Sequence, residues 1–115
     1  MPCIVLRSEI ESILRRWQSG ELTHVEVFDW ANNRFCTSQW DPEDEIVNEV
    51  LSELDTLNIN LTTADDISHL LGLLKIPSGE LEIARSHQVA YSKTIDLQSR
   101  RAALVNDPFY APFCK

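Results

Sequence analysis

Proline, glycine and cysteine are all scarce, at five, three and three among 115 residues. Gly20, Gly72 and Gly79 stand alone, so no loop can bring successive backbone N–H groups around a phosphate, and nucleotide binding finds no support. Cys3, Cys36 and Cys114 are odd in number and far apart, with no CxxC. Neither a disulfide framework nor a zinc site is suggested, and the expected compartment is a reducing cytoplasm. The longest apolar run, residues 70–74, is far too short to cross a bilayer. A charged N-terminal region followed by a hydrophobic segment and a cleavage site is also lacking, so the chain is expected to be neither exported nor anchored, with no membrane partner.

Positive charge is missing from one segment altogether. Residues 41–66 hold nine acids, Asp41, Glu43, Asp44, Glu45, Glu49, Glu53, Asp55, Asp65 and Asp66, and no Lys or Arg. The flanks are nearly neutral, with four Arg against five acids in residues 1–40 and six basic against four acidic residues in 67–115. The net charge of -8 and pI of about 4.7 disfavour a phosphate backbone as partner, because affinity for it comes largely from Lys and Arg displacing counterions. Direct nucleic-acid binding is therefore not expected. At 43% hydrophobic and 24% charged, the chain is long enough for one core, and a single domain over residues 1–115 is the expectation.

Helical periodicity dominates what is present. Leu6, Ile10, Ile13, Leu14 and Trp17 share one face of a first helix near residues 6–19, which Gly20 can end in the left-handed conformation. Thr23 and Glu26 form a capping-box pattern for a second, short helix near 24–34. Asp41-Pro42 reads as the start of a third helix over about 42–57, with Ile46, Val47, Val50, Leu51, Leu54 and Leu57 as its stripe. Thr62 and Thr63 each precede an acid by three residues and open a fourth helix that Pro77 blocks. Residues 79–105 read as one long helix or two in series. The tail, residues 106–115, sets Pro108 and Pro112 among Phe109, Tyr110 and Phe113, a composition that resists helix and offers apolar contacts. No strand-like alternation of useful length is visible. The predicted architecture is all-α, an irregular bundle of about five helices with the aromatic tail packed back on it.

Catalytic and metal patterns are thin. His24, His69 and His87 accompany no HExxH, HxxxH or Gly-x-Ser-x-Gly turn, so no enzyme activity and no cofactor are expected. Asp65, Asp66 and His69 lie one turn apart, but both aspartates are equally served by the positive end of the fourth helix. Asp41-x-Glu43-x-Glu45 starts like a calcium loop, yet the sixth and twelfth positions are Ile46 and Ser52 where glycine and glutamate are needed.

The acidic helix is the feature most suggestive of a partner. Glu45, Glu49 and Glu53 fall in a line at i, i+4 and i+8 beside an apolar arc of about 140°. Such like-charge pairs each cost a helix about 0.2–0.5 kcal/mol, and Asp55 adds a charge near the negative C-terminal end. Two outcomes are open: a face neutralised internally by Arg85, Lys93, Arg100 and Arg101, or a displayed surface that meets a basic partner. In the second case the partner-binding residues are Trp40, Asp41, Asp44, Glu45, Glu49, Glu53 and Asp55, with Trp40 as aromatic anchor.

Trp17-Gln18-Ser19-Gly20-Glu21-Leu22-Thr23, continuing through Glu26-Val27 to Trp30-Ala31, resembles a W-x-x-G-E-L/I-T/S…W-A segment of small bacterial helical proteins. The acidic helix and a T-x-x-D-I-x-x-L-L pattern over residues 63–71 follow in similar order, and together they cover somewhat over half the chain. Such proteins are similar to immunity proteins of contact-dependent growth inhibition and related toxin systems. The resemblance implies a cytoplasmic inhibitor that binds the C-terminal domain of a cognate toxin, many of which are nucleases with basic clefts. A helical regulatory adaptor for another basic protein is the alternative reading of the same face.

Overall fold

The computed structural model describes residues 3–35 and 39–114. Cys36 and most of the polar stretch before Trp40 lie outside the described residues. Among the described residues six α-helices and one small sheet follow in the order β1 (Cys3–Val5), α1 (Arg7–Gln18), α2 (His24–Asn32), β2 (Trp40–Pro42), α3 (Glu45–Asp55), α4 (Ile67–Leu73), α5 (Leu81–Ser92) and α6 (Leu97–Leu104). Single 3₁₀ turns occupy Ala64–Asp66 and Ala111–Phe113.

The protein is predominantly helical, which corrects the all-α expectation in one respect. β1 and β2 pair in parallel, with Cys3 opposite Trp40, Ile4 opposite Asp41 and Val5 opposite Pro42. Three-residue strands are too short for an alternating pattern to register in the sequence. Pro42 sits at the end of its strand, where a missing N–H is tolerated, and the ladder is closed by Cys3 N–H to Gln39 O at 2.8 Å and Glu43 N–H to Val5 O at 2.9 Å.

The same pairing moves the start of the acidic helix. Asp41 lies in β2, and Asp44 caps α3 by accepting the N–H groups of Ile46 and Val47, both at 2.9 Å. Arg7 decides between two carboxylates of similar capping ability. Its guanidinium reaches Asp44 at 2.7 Å and also donates to the carbonyls of Leu74 at 2.5 Å and Ile76 at 2.6 Å. One side chain thus ties the start of α1, the cap of α3 and the chain leaving α4.

Local signals elsewhere act as expected. Gly20 ends the α1 turn at φ 86°, a conformation that costs an L side chain about 1 kcal/mol or more. Thr23 and Glu26 exchange both capping-box hydrogen bonds at the start of α2. The segment before α4 begins as a 3₁₀ turn, in which Thr63 N–H donates to Asp66 at 2.9 Å. Of the two alternatives for residues 79–105, the structure has two helices. Asp96 starts α6 by accepting from the Ser99 N–H and hydroxyl at 3.0 and 2.8 Å, so a side-chain cap divides the helices where neither Gly nor Pro stands.

The core lies where α1, α2, α3 and α4 converge. Ile10, Leu14, Val27, Ile46, Leu54 and Ile67 are fully buried there, and Val5 brings β1 into the same cluster. α5 contributes only Ala84 to it and α6 contributes no buried residue. The tail returns to the body, since Tyr110 is 2% exposed and its hydroxyl donates to Thr62 O at 2.6 Å. Phe109 packs edge-on against Phe28 with ring centres 5.3 Å apart.

Candidate functional site

α5 lies along the acidic side of α3, and this placement settles the geometry of the predicted face. Glu45 accepts the Gly79 N–H at 2.6 Å, Glu49 meets Arg85 at 3.0 Å, and Glu53 is hydrogen-bonded by Gln88. The line at i, i+4 and i+8 is therefore a half-buried seam, not a freely displayed surface. Ala84, small and buried, lets the two helices approach. Asp55 accepts from Asn32 at 3.0 Å, which moderates the charge it adds at the end of α3. Asp44 is occupied by its cap and by Arg7. Burial raises its carboxyl, but Arg7 and the two N–H groups outweigh burial and hold it below the usual value.

Trp40 is likewise less available than its polar neighbours suggest. It is partly buried against the core, and the Arg34 guanidinium lies 4.6 Å from its ring centre and 4.5 Å from that of Trp30. Two aromatic faces around one guanidinium form a cation–π arrangement. Among the predicted site residues Asp41 remains exposed, as do two further acids of the segment, Glu43 and Asp65.

A cleft opens next to this seam. It has a volume of about 430 Å³ and lies between the end of α3 with the following loop, α4, α5 and α6, with Phe113 from the tail at its edge. Asp66, only 3% exposed, holds its floor together. Both terminal guanidinium nitrogens of Arg100, Nη1 and Nη2, donate to its carboxylate, at 2.6 and 2.7 Å, and the Tyr91 hydroxyl donates to it at 2.5 Å. Burial raises the Asp66 carboxyl, yet the bonds from Arg100, Tyr91 and Thr63 prevail and keep it below its ordinary 3.8. Arg100 also donates to Leu61 O at 3.0 Å. Leu61 adopts φ 55°, a left-handed conformation unfavourable for a branched side chain, and in it the carbonyl serves Arg100 while the side chain stays buried.

The floor continues as a polar chain. The Tyr91 ring stacks on His69 with centres 3.9 Å apart and planes 7° from parallel. His69 Nε2 is hydrogen-bonded to Gln88 Oε1, and with the ring nitrogen donating, the Gln88 amide is left to donate to Glu53. Burial raises the Glu53 carboxyl, Gln88 lowers it, and Glu49 and Asp66 push it upward again, so that it ends above its usual value. The rim is apolar: Ile59, Val89, Leu97 and Phe113 are 56, 55, 45 and 37% exposed.

Sequence reasoning singled out Asp65, Asp66 and His69 without pairing them, and named Arg85 and Arg100 only as possible internal counter-charges for the acidic helix; the structure sets Arg85 on Glu49 and Arg100 on Asp66. Asp65 is exposed, Asp66 is bound to Arg100, and His69 faces Gln88 and Tyr91. Among the described residues no group of three His, Cys, Asp or Glu is placed to hold a metal ion, and no helix is long and apolar enough to cross a membrane. Arg100 carried no periodic or motif signal, because its role depends on α6 folding back over the loop at residues 57–62. No protein-family model, curated protein or solved structure matches this chain.

Proposed function

We propose that this chain is a cytoplasmic immunity protein that binds the C-terminal domain of a cognate bacterial toxin, a nuclease, and neutralises it by stoichiometric occlusion. The observation that carries this reading is the charge distribution: nine acids and no cation within residues 41–66, between two nearly neutral flanks. A need for solubility alone does not require the excess in one segment. A basic nuclease cleft and an acidic inhibitor attract one another at long range, which raises the association rate and makes it fall with salt. Asp41, Glu43 and Asp65, which are exposed, supply this field without having to leave an internal contact, and the partly exposed Glu45 and Glu49 add to it.

The direct test is growth of a susceptible bacterium that expresses the C-terminal fragment of the neighbouring large secreted protein, with and without this chain. Specific rescue and a co-purifying complex support immunity. A toxic fragment that a folded copy of this chain neither binds nor neutralises rules out that pairing and favours an adaptor for another basic protein. Within a complex, reversing Asp41, Glu43 and Asp65 to Lys slows association by about tenfold or more at low salt while leaving dissociation nearly unchanged. These positions are better suited to the test than Glu45, Glu49 and Glu53, whose reversal also breaks the seam between α3 and α5.

A further inference from the structure

Among the described residues Glu53 has no cation; Glu45 and Asp55 share that lack, but of the three Glu53 alone lines the cleft. Asp44 has Arg7, Asp66 has Arg100, and the flanking Glu49 has Arg85. Among the described residues Glu53 makes no ion pair. Glu49 and Asp66 act on it unfavourably and His69 favourably. It nevertheless lines the 430 Å³ cleft, a volume within the roughly 300–1,000 Å³ of ordinary binding pockets. Of the nine large apolar side chains exposed among the described residues, four, Ile59, Val89, Leu97 and Phe113, rim this one cleft.

We propose that the cleft is the socket for one basic side chain of the protein partner, an arginine or lysine whose charged end meets Glu53 while Ile59, Val89 and Phe113 cover its aliphatic stem. This deepens the reading of the chain as an inhibitor of a basic protein and rests on it. Long cationic side chains combine an apolar stem with a charged head, and the cleft offers the matching sequence of surfaces from rim to floor. An apolar side chain in the same place strips water from Glu53 without supplying a counter-charge, which is unfavourable. An acidic one brings a like charge to Glu53, and Arg100 on the same wall is already held by Asp66. The cleft's own cations do not fill the role: Arg100 is held by Asp66 and Leu61, and Arg101 is exposed and makes no ion pair with Glu53. Anchors of this kind, set in a pocket and ringed by apolar contacts that exclude water, dominate protein interfaces.

The experiment uses N-acetyl-arginine amide as probe and N-acetyl-citrulline amide, its uncharged analogue, as control, titrated into the ¹⁵N-labelled full chain and followed by amide chemical shifts. The arginine probe is expected to saturate shifts at residues 53, 66, 69 and 88 with a dissociation constant on the order of 1–10 mM, and the citrulline analogue to give none that saturate. Glu53→Gln, which keeps the shape, weakens the arginine probe by about tenfold, and Val89→Ser on the exposed rim weakens it by about two- to threefold. Equal binding of the two probes, an unchanged affinity in Glu53→Gln, or the absence of saturable shifts in the cleft overturns the proposal. Growth rescue without probe binding discards the socket and keeps the inhibitor, whereas probe binding without rescue does the reverse.

Discussion

Replacing Asp66 by Asn tests whether α6 is held to the body by charge. The carboxylate side chain is 5% exposed and its Arg100 partner 18%, with contacts of 2.6 and 2.7 Å. Removing one member of a buried pair costs about 3–5 kcal/mol, because the other charge stays desolvated. Arg100 retains some water and the Leu61 carbonyl, so the lower end applies, about 3 kcal/mol. For a chain of this size that is roughly 10–15 °C in Tm and a large part of a net stability of about 5–15 kcal/mol. Arg100→Met alone is expected to cost somewhat less, since Asp66 keeps Tyr91 and the Thr63 N–H. The double variant falls short of the sum by about 2 kcal/mol. The folded-state Asp66 value lies below the unfolded one. Its contribution is therefore complete above about pH 5 and is lost as the pH falls through the folded-state value. Urea unfolding followed by circular dichroism, at pH 7 and at intervals down to pH 3, measures all of this. A loss under about 0.5 kcal/mol in Asp66→Asn, additive single changes, or an unaltered acid dependence refutes the assignment of Asp66 and Arg100 as the latch of α6.

Three further expectations can be checked by the same unfolding measurements. Asp44→Ala removes the α3 cap and the partner of Arg7 and costs about 2 kcal/mol, whereas Asp41→Ala, exposed in β2, stays within about 0.5 kcal/mol; a larger loss at Asp41 restores it as the cap. Tyr110→Phe keeps the ring and removes a buried bond to Thr62, for a loss of about 1–2 kcal/mol, and an unchanged midpoint denies the tail a specific hold on the body. Glu53→Gln is expected to leave stability at pH 7 within about 0.5 kcal/mol or to raise it. The folded carboxyl lies above its unfolded value, so its favourable contribution is complete below the unfolded value and is lost as pH rises through the folded one; a marked destabilisation at pH 7 contradicts this.

Helix starts and stops were legible where the deciding groups are neighbours in the chain. The Thr23–Glu26 box, the left-handed Gly20 and the apolar stripe of α3 stand in the structure as their local chemistry predicts. The cap of α3 was misplaced because two aspartates three residues apart both satisfy the local rule, and Arg7, distant in sequence, selects Asp44. The β1–β2 pair was invisible for a related reason, since three residues cannot establish an alternation and their hydrogen bonds are to each other.

The candidate site divides along the same boundary. Amino-acid order alone determined the helical character, the core-facing residues of α3 and, except for the exposed Leu6, of α1, and the concentration of acids in residues 41–66, all of which follow from spacing within one segment. Tertiary structure decided which of those acids face solvent. α5 settles along α3 and converts the Glu45–Glu49–Glu53 line into a seam, Arg100 crosses from α6 to Asp66, and a cleft forms where Glu53 remains without a cation. Charge is a property of the chain, but desolvation and pairing depend on which segments meet, and that meeting is set by burial of apolar faces far apart in sequence.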